Sequence, residues 1–334
     1  MKLYVILTIF LTLCVALSPF TVLSDRKNAE ESEAAKNTSS TEETKSESSF
    51  EVSLPATLSV LQTSSGRVVE KSVLDYVKGS VSAEIPPTYE EEAIKAQAVV
   101  CLTYALWLKD NSEKTSLENA DISDNPDRFQ GYLDESELKD KWGDKYDEYS
   151  KKISDCISQV ATEYLTYENK PIMACYHAIS PGKTESAENA FGTDVPYLKS
   201  VEANGDLLSP EIDSAVTLSV DEFKKCAERL DGVKLQGDAS KWLGKLSKTD
   251  SGFVKSIVVG SKKIGGNDAR SAFSLKSPAF TVKFENNEFV FSVKGYGHLV
   301  GMSQYSADYM ARQGATYKEI LSHFYPGTTL KKAS

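Results

Sequence analysis

The chain has 334 residues, 40% of them hydrophobic and 26% charged, with a formal net charge of −10. That is enough material for one large or two ordinary domains with a packed core. The lack of a basic surplus to neutralise phosphates argues against a nucleic-acid partner.

The chain opens on an apolar run. Residues Leu3 to Ser24 carry no charge, and about 20 apolar residues suffice to cross a bilayer as a helix. The length favours an uncleaved anchor over a cleaved signal peptide. Lys2 favours an inside N-terminus, which would make the protein single-pass in the cell membrane with its bulk extracytoplasmic. Residues 25–49 lack Val, Ile, Leu and aromatic side chains and are dense in Glu, Ser, Thr and Lys. Such a segment buries too little apolar area to offset chain entropy and reads as a disordered tether.

From Phe50 to the end the pattern is globular, giving a division into 1–24, 25–49 and 50–334. Val68-Val69 and Val73-Leu74 read as short strand pieces, and Tyr76 to Val81 as the approach to a turn. Pro86-Pro87 interrupts regular structure. Thr88-Tyr89-Glu90-Glu91 reads as a capping box opening a long helix, with Ile94, Ala98, Cys101, Leu102 and Ala105 on one face. Asn111 to Gly143, polar and acidic, reads as a surface insertion. Tyr149 to Thr162 reads as helix. Leu165 to Tyr167 and Pro171 to His177 suggest a hairpin turning at Glu168 to Lys170. Ser219 and Thr316 open further capping boxes, with Pro326-Gly327 closing the last helix. Val254 to Val259, Phe280 to Phe284 and Phe289 to Val293 read as strands, the last two joined at Asn286-Asn287. Helices and strands do not alternate regularly, so the class is α+β, a mixed helix and strand region with a groove for substrate, plus the N-terminal transmembrane helix. The five cysteines, Cys14, Cys101, Cys156, Cys175 and Cys226, show no Cys-x-x-Cys pair and no disulfide framework, although one bridge among the last four stays open.

Three stretches stand out for chemistry. In Val81 to Pro87, Glu84 sits beside a rigid Pro-Pro pair, and rigid placement suits a catalytic carboxyl. The bland alternative is a carboxylate complementing a helix N-terminus, which would lower its pKa when a general acid needs it raised. In Ala174 to Glu185, Cys175 and His177 would share one face of a strand, which raises a nucleophile pair or a metal site against the commoner buried Cys beside a hydrogen-bonded His. The run Ser180 to Glu185 reads as a loop that lines a cleft. In Gly295 to Tyr305, the glycines permit close approach of a ligand, and His298 and Gln304 can bond sugar hydroxyls or N-acetyl groups. The spacing fits neither a phosphate loop nor a dinucleotide fingerprint.

Taken in order, Leu74-Asp75-Tyr76-Val77-Lys78-Gly79, Ser82-Ala83-Glu84-Ile85-Pro86, Glu92-Ala93-Ile94-Lys95-Ala96-Gln97-Ala98, Tyr176-His177-Ala178, Gly295-Tyr296-Gly297-His298, Val300-Gly301-Met302-Ser303-Gln304-Tyr305 and Phe324-Tyr325-Pro326-Gly327 resemble the stage II sporulation protein D family and its amidase-enhancer relatives, from about Phe50 to Leu330. The resemblance implies a lytic transglycosylase with Glu84 as catalytic residue and Ile85 in place of the usual Met. It implies glycan stripped of stem peptides as substrate, and as partners the sporulation amidase (protein P) and a multispan membrane protein (protein M), acting at engulfment in an endospore former. Zinc-binding members place Cys and His after the long helix; residues 111–143 hold neither, so no metal and no cofactor is expected. Pro181 and Leu299 stand where the family usually has glycine, and Cys101 replaces a common Arg.

A single carboxyl suffices for that reaction, since the sugar's own C6 hydroxyl attacks the anomeric carbon, whereas ordinary glycosidases use two carboxyls. Positioning falls to His177, Ser180, Thr184, His298, Gln304 and Tyr305. The rival readings are a non-catalytic wall-binding module that stimulates an amidase, a Cys175/His177 peptidase or amidase, and a hydrolytic muramidase.

Overall fold

The computed structural model describes residues 53–113, 117–125 and 129–333. The expected anchor and tether, 1–24 and 25–49, lie outside the described residues. Among the described residues no helix is long and apolar enough to cross a membrane.

In chain order, β1 (Thr57–Gln62) and β2 (Arg67–Ser72) form an antiparallel hairpin and lead into α1 (Val73–Glu84) and α2 (Glu91–Asn111). Then come β3 (Ile122–Ser123), α3 (Glu135–Trp142), α4 (Tyr146–Val160), β4 (Glu163–Tyr167), β5 (Lys170–Pro171), β6 (Tyr176–His177) and α5 (Ala187–Phe191). A second group follows: β7 (Asp213–Ser219), α6 (Val220–Ala227), β8 (Leu243–Lys248), β9 (Val254–Val259), β10 (Lys262–Ile264), α7 (Gly266–Ala272), β11 (Phe280–Glu285) and β12 (Glu288–Lys294). The chain closes with β13 (Met302–Ser303), α8 (Gln304–Arg312), α9 (Tyr317–Phe324) and β14 (Thr329–Lys332). The mixture is α and β, in small and mostly antiparallel sheets.

Val73 to Val81 is helix, not strand and turn. The Ser72 hydroxyl accepts the Asp75 amide at 3.1 Å and caps the first turn. Val73, Tyr76, Val77, Ser80 and Val81, at helical spacing, are buried. The valines' strand preference yields to burial of that face. The Thr88 box is absent too. The Tyr89 amide bonds the Pro86 carbonyl at 3.1 Å, so residues 86–89 are spent in a turn. Glu90 is the N-cap, makes no side-chain cap, and donates its own amide to Asp308 Oδ1 at 2.7 Å.

The helix at the centre, α2, is buried without a break from Ala93 to Thr103. It lies among α1, α4, α8, α9 and β4. Alanines on its remaining faces let those neighbours close in, so the single buried face expected from its spacing is only part of its core. The hairpins expected at Glu168-Asn169 and Asn286-Asn287 are present, with φ of 50° and 62° in one and 51° and 63° in the other, the paired left-handed residues of a tight two-residue turn. The Ser219 and Thr316 boxes cap the N-termini of α6 and α9, with each hydroxyl accepting the third-residue amide and Glu222 or Glu319 accepting the amide of the capping residue.

Residues 213–294 build a core of their own. The sheet β11-β12-β7 receives Phe223 of α6, whose ring stacks on Phe289 at 3.7 Å and Phe273 at 4.8 Å. The first core draws on Leu58 through Ala203 and returns at Val300 through Ala333. The stretch from Gly295 onward therefore carries the chain back from the second core to the first.

Candidate functional site

Glu84 is the last residue of α1, not a loop residue ahead of α2. The dipole argument is thereby inverted: the negative end of a helix disfavours a carboxylate, whereas the expected N-terminus would have favoured it. Its Oε1 accepts the Gly131 amide at 2.5 Å, and the Tyr176 side chain is near enough to favour the charged form of the same carboxyl. Burial raises its pKa, and the Gly131 amide, the Tyr176 side chain and the charge of Lys141 only partly oppose that shift. Lys141 holds the helix end from outside, donating to Ser82 O at 3.1 Å and Ala83 O at 3.3 Å.

Gly131 and Lys141 belong to the stretch expected to be a surface insertion. It is partly that, but Gln130 is 1% exposed and bonds Tyr76 Oη at 3.3 Å and Cys101 O at 3.0 Å. Tyr132 stacks on Tyr76 with centroids 5.7 Å apart. This segment folds over α1 and delivers the amide that Glu84 accepts. Nothing in its polar composition marks those contacts.

Tyr176 brings the other stretches in. It stands on β6, which pairs in parallel with β13, Tyr176 opposite Met302 and His177 opposite Ser303. The glycine-rich stretch thus packs on the chain itself: a Cβ on Gly301 would sit 1.9 Å from Cys175 O, and one on Gly297 2.7 Å from His177 Cβ. Close approach is what these glycines provide, but to residues 175–177, where a ligand was the expected neighbour. Leu299, where the resemblance expects glycine, has φ 73° and is fully buried. The backbone keeps the left-handed turn, and the leucine bears its strain.

His177 and His298 lie with ring centroids 6.0 Å apart. His177 Nδ1 donates to Val300 O at 3.1 Å, which leaves Nε2 an acceptor, buried and without a hydrogen-bond partner among the described residues. His298 Nδ1 accepts the Val300 amide at 3.1 Å. Burial depresses both, His177 to about 3, with His298 adding to the effect, and His298 to about 4. Both rings are neutral at physiological pH. A neutral buried histidine costs stability when it must be protonated. Its contribution is complete above the ordinary pKa of about 6.5 and is lost as pH falls toward the folded value. Going from about pH 7.5 to about pH 5 should remove about 2 kcal/mol through His177 alone. In urea unfolding, the stability gap between the protein and a His177→Asn variant should narrow by that amount; an unchanged gap would contradict a neutral, buried ring.

The remaining expected site residues fall in two groups. Gln304 is 5% exposed and bonds Gln97 at 3.3 Å, and Gln97 in turn bonds Cys101 Sγ at 3.3 Å beneath Tyr176. Tyr305 is half-buried beside Tyr89 and donates to Leu208 O at 3.3 Å. Ser180 and Thr184 are fully buried instead of lining an open loop. Ser180 Oγ accepts the Gly182 amide and Thr184 Oγ1 the Val201 amide, at 3.2 and 2.9 Å. Asp206, fully buried, ties this loop to β13 by accepting the Ser180 amide at 2.6 Å and the Ser303 hydroxyl at 2.7 Å.

Pro171 to His177 is not one strand, because β5 ends at Pro171 and the chain turns at Met173 to Cys175 before β6. Cys175 is buried, its thiol pushed up to about 12 by burial, and it lacks the thiolate character of a nucleophile. Cys101, Cys156, Cys175 and Cys226 are all free thiols.

Residues 62–167 match the family model described as stage II sporulation protein. Over 280 residues the chain is 34% identical to stage II sporulation protein D of Bacillus subtilis (strain 168), and 36% identical to that of Bacillus amyloliquefaciens. In each case the match spans 84% of this chain and 80% of the relative. It is also 25% identical over 307 residues to the amidase enhancer of Bacillus subtilis, a match covering 76% of this chain and 40% of that protein.

Proposed function

Because this chain belongs to the stage II sporulation protein D family, we propose that it is a peptidoglycan lytic transglycosylase with Glu84 as its sole acid and base, acting on glycan freed of stem peptides. One observation carries the reading. Among the described residues, the groups acting on Glu84 are Gly131, Tyr176 and Lys141, none of them a carboxylate, while burial raises its pKa and so favours the protonated form. A hydrolase would pair two carboxyls across the bond. A lone carboxyl with a raised pKa suits a reaction whose nucleophile belongs to the substrate.

In the proposed mechanism Glu84 gives its proton to the departing glycosidic oxygen as the C1–O bond breaks. The C6 hydroxyl of the same sugar bonds to C1, and its proton passes to the Glu84 carboxylate. One 1,6-anhydro end forms, no water is consumed, and the acid is regenerated. The Tyr176 hydroxyl and Gly131 amide orient the carboxyl and share its charge while the proton is away. The open acceptor at His177 Nε2 and the neutral His298 serve as hydrogen-bonding groups for sugar hydroxyls. Gln304 and Tyr305 flank them, with Ser180 and Thr184 as supports behind.

The same reading places the catalytic region outside the cell membrane on a single span, in endospore engulfment beside an amidase (protein P) and a multispan protein (protein M). Similarity to a relative named amidase enhancer favours one alternative, a wall-binding module that stimulates such an amidase without cleaving glycan.

Weighing the products from peptide-free glycan strands tests the choice. Transglycosylation yields anhydro ends lighter by one water than hydrolytic ends. Hydrated ends would indicate a muramidase, and intact strands together with a stimulated amidase would indicate the binding module.

A further inference from the structure

The proposed mechanism leaves one buried carboxylate unused. Glu185 is 2% exposed, and acidic side chains are seldom buried so deeply without partners. Its oxygens are held from two sides. Oε1 accepts the Ser186 amide at 2.7 Å, Asn189 Nδ2 at 3.0 Å and the Ser186 hydroxyl at 3.3 Å. Oε2 accepts the hydroxyls of Thr249 and Ser251, each at 2.5 Å. Burial by itself would raise the carboxyl pKa. The Ser251 and Thr249 hydroxyls, the Asn189 side chain and the Ser186 amide more than offset it, so Glu185 is ionised at neutral pH. Both oxygens are engaged in holding protein groups, which suits a joint better than a second catalytic carboxyl.

The two sides belong to different parts of the fold. Ser186 and Asn189 are the N-cap and a residue of α5, whereas Thr249 and Ser251 lie in the turn from β8 to β9, within the region of the second core. An apolar contact runs beside the polar one: Leu299, fully buried, packs with Phe253 and Ala279. The Glu185 amide donates to Leu299 O at 2.7 Å, and residue 185 forms a parallel bridge with Val300. Val300 is the residue that holds both groove histidines. Its carbonyl accepts His177 Nδ1 and its amide donates to His298 Nδ1, each at 3.1 Å. One short path therefore runs from the β8–β9 turn through Glu185 to the two rings.

We propose that Glu185 is a positioning residue for His177 and His298, through which the β8–β9 turn sets the geometry with which the two rings meet sugar hydroxyls. The inference rests on the glycan-strand reading and deepens it by giving the second core a part in substrate binding. A carboxylate serves such a joint well, because hydrogen bonds to a charged acceptor are about twice as strong as neutral ones. Cutting the joint frees residues 299–300, and with them the anchor of both histidines. Glu84, whose carboxyl accepts the Gly131 amide, is not on that path. The loss should therefore fall on sugar binding and spare the proton transfers.

Kinetics of the full chain on peptide-free glycan strands test this. Glu185→Ala should raise KM about 10-fold and leave kcat within about 3-fold, the signature of binding lost equally in the ground and transition states. A role confined to stability would lower the active fraction, and so the apparent kcat, with KM unchanged. That result would overturn the proposal, as would parental values of both. Ser251→Ala removes a single donor from the far side of the joint and serves where Glu185→Ala does not fold. Its KM should rise about 3-fold, and a parental KM would overturn the proposal equally. Calorimetric titration of the same strands into Glu84→Gln, with and without the second substitution, reads binding apart from cleavage. Weaker binding in the double variant, with no anhydro ends from the parent, would keep the joint and remove the transglycosylase. Anhydro ends from the parent, with equal affinities in the pair, would do the reverse.

Discussion

Glu84→Gln should lower the release of 1,6-anhydro ends by about 10²–10⁴-fold, the usual worth of a positioned acid and base, while leaving glycan binding and the fold in place. The amide is nearly isosteric, and its oxygen can still accept the Gly131 amide that holds Oε1 at 2.5 Å. What it cannot do is give a proton and take one back. The pH profile gives a second signature. Burial raises the Glu84 pKa, and the reaction starts from the protonated acid, so activity should fall as pH rises through that raised value. The residual activity of the variant should lack this limb. Stability runs the same way: a carboxyl with a raised folded pKa stabilises the fold below its unfolded pKa and loses that contribution as pH rises through the folded one. At neutral pH the variant should therefore be no less stable than the parent. Anhydro ends released at the parental rate would remove Glu84 from the mechanism.

How legible this site was depended on how far each contact reaches along the chain. Local signals read well. The Ser219 and Thr316 boxes and the paired asparagine turn at 286–287 are decided within four residues, and the structure has them. The error at Val73 to Val81 has a definite cause. Valines favour strands when judged alone, yet Tyr76, Val77 and Val81 are placed by burial in the first core, which no local preference reports. That one error moved Glu84 from a loop to a helix end and reversed the sign of its dipole term. Gly131 was invisible for a related reason: its bond to Glu84 spans 47 residues and involves only a backbone amide, which leaves no trace in side-chain chemistry. Tyr176 stood inside a matched run but looked like a neighbour of His177. Its importance comes from a strand of two residues whose partner lies well over a hundred positions away.

Gly301→Ala should be the most damaging substitution outside the carboxyl itself, costing at least about 3 kcal/mol. Its φ is 72°, and the new methyl would fall 1.9 Å from Cys175 O. That carbonyl accepts both the Met302 amide at 3.1 Å and the Tyr325 hydroxyl at 2.7 Å. To make room, β13 must leave β6 or Cys175 must rotate, and either motion breaks buried hydrogen bonds. Gly314→Ala isolates the backbone contribution. Its φ is 90°, but nothing lies within 4 Å of the added carbon, so it should cost only about 1 kcal/mol. Urea unfolding of the pair reads the difference. The damage should reach the chemistry as well, because Tyr176 follows Cys175 directly and its side chain acts on the Glu84 carboxyl. Anhydro-end release by Gly301→Ala should drop even in the fraction that stays folded, and release by Gly314→Ala should not. Similar stabilities for the two variants would mean that the glycine-rich stretch does not clamp β6, and the link from residues 295–305 to Glu84 would have to run through other contacts.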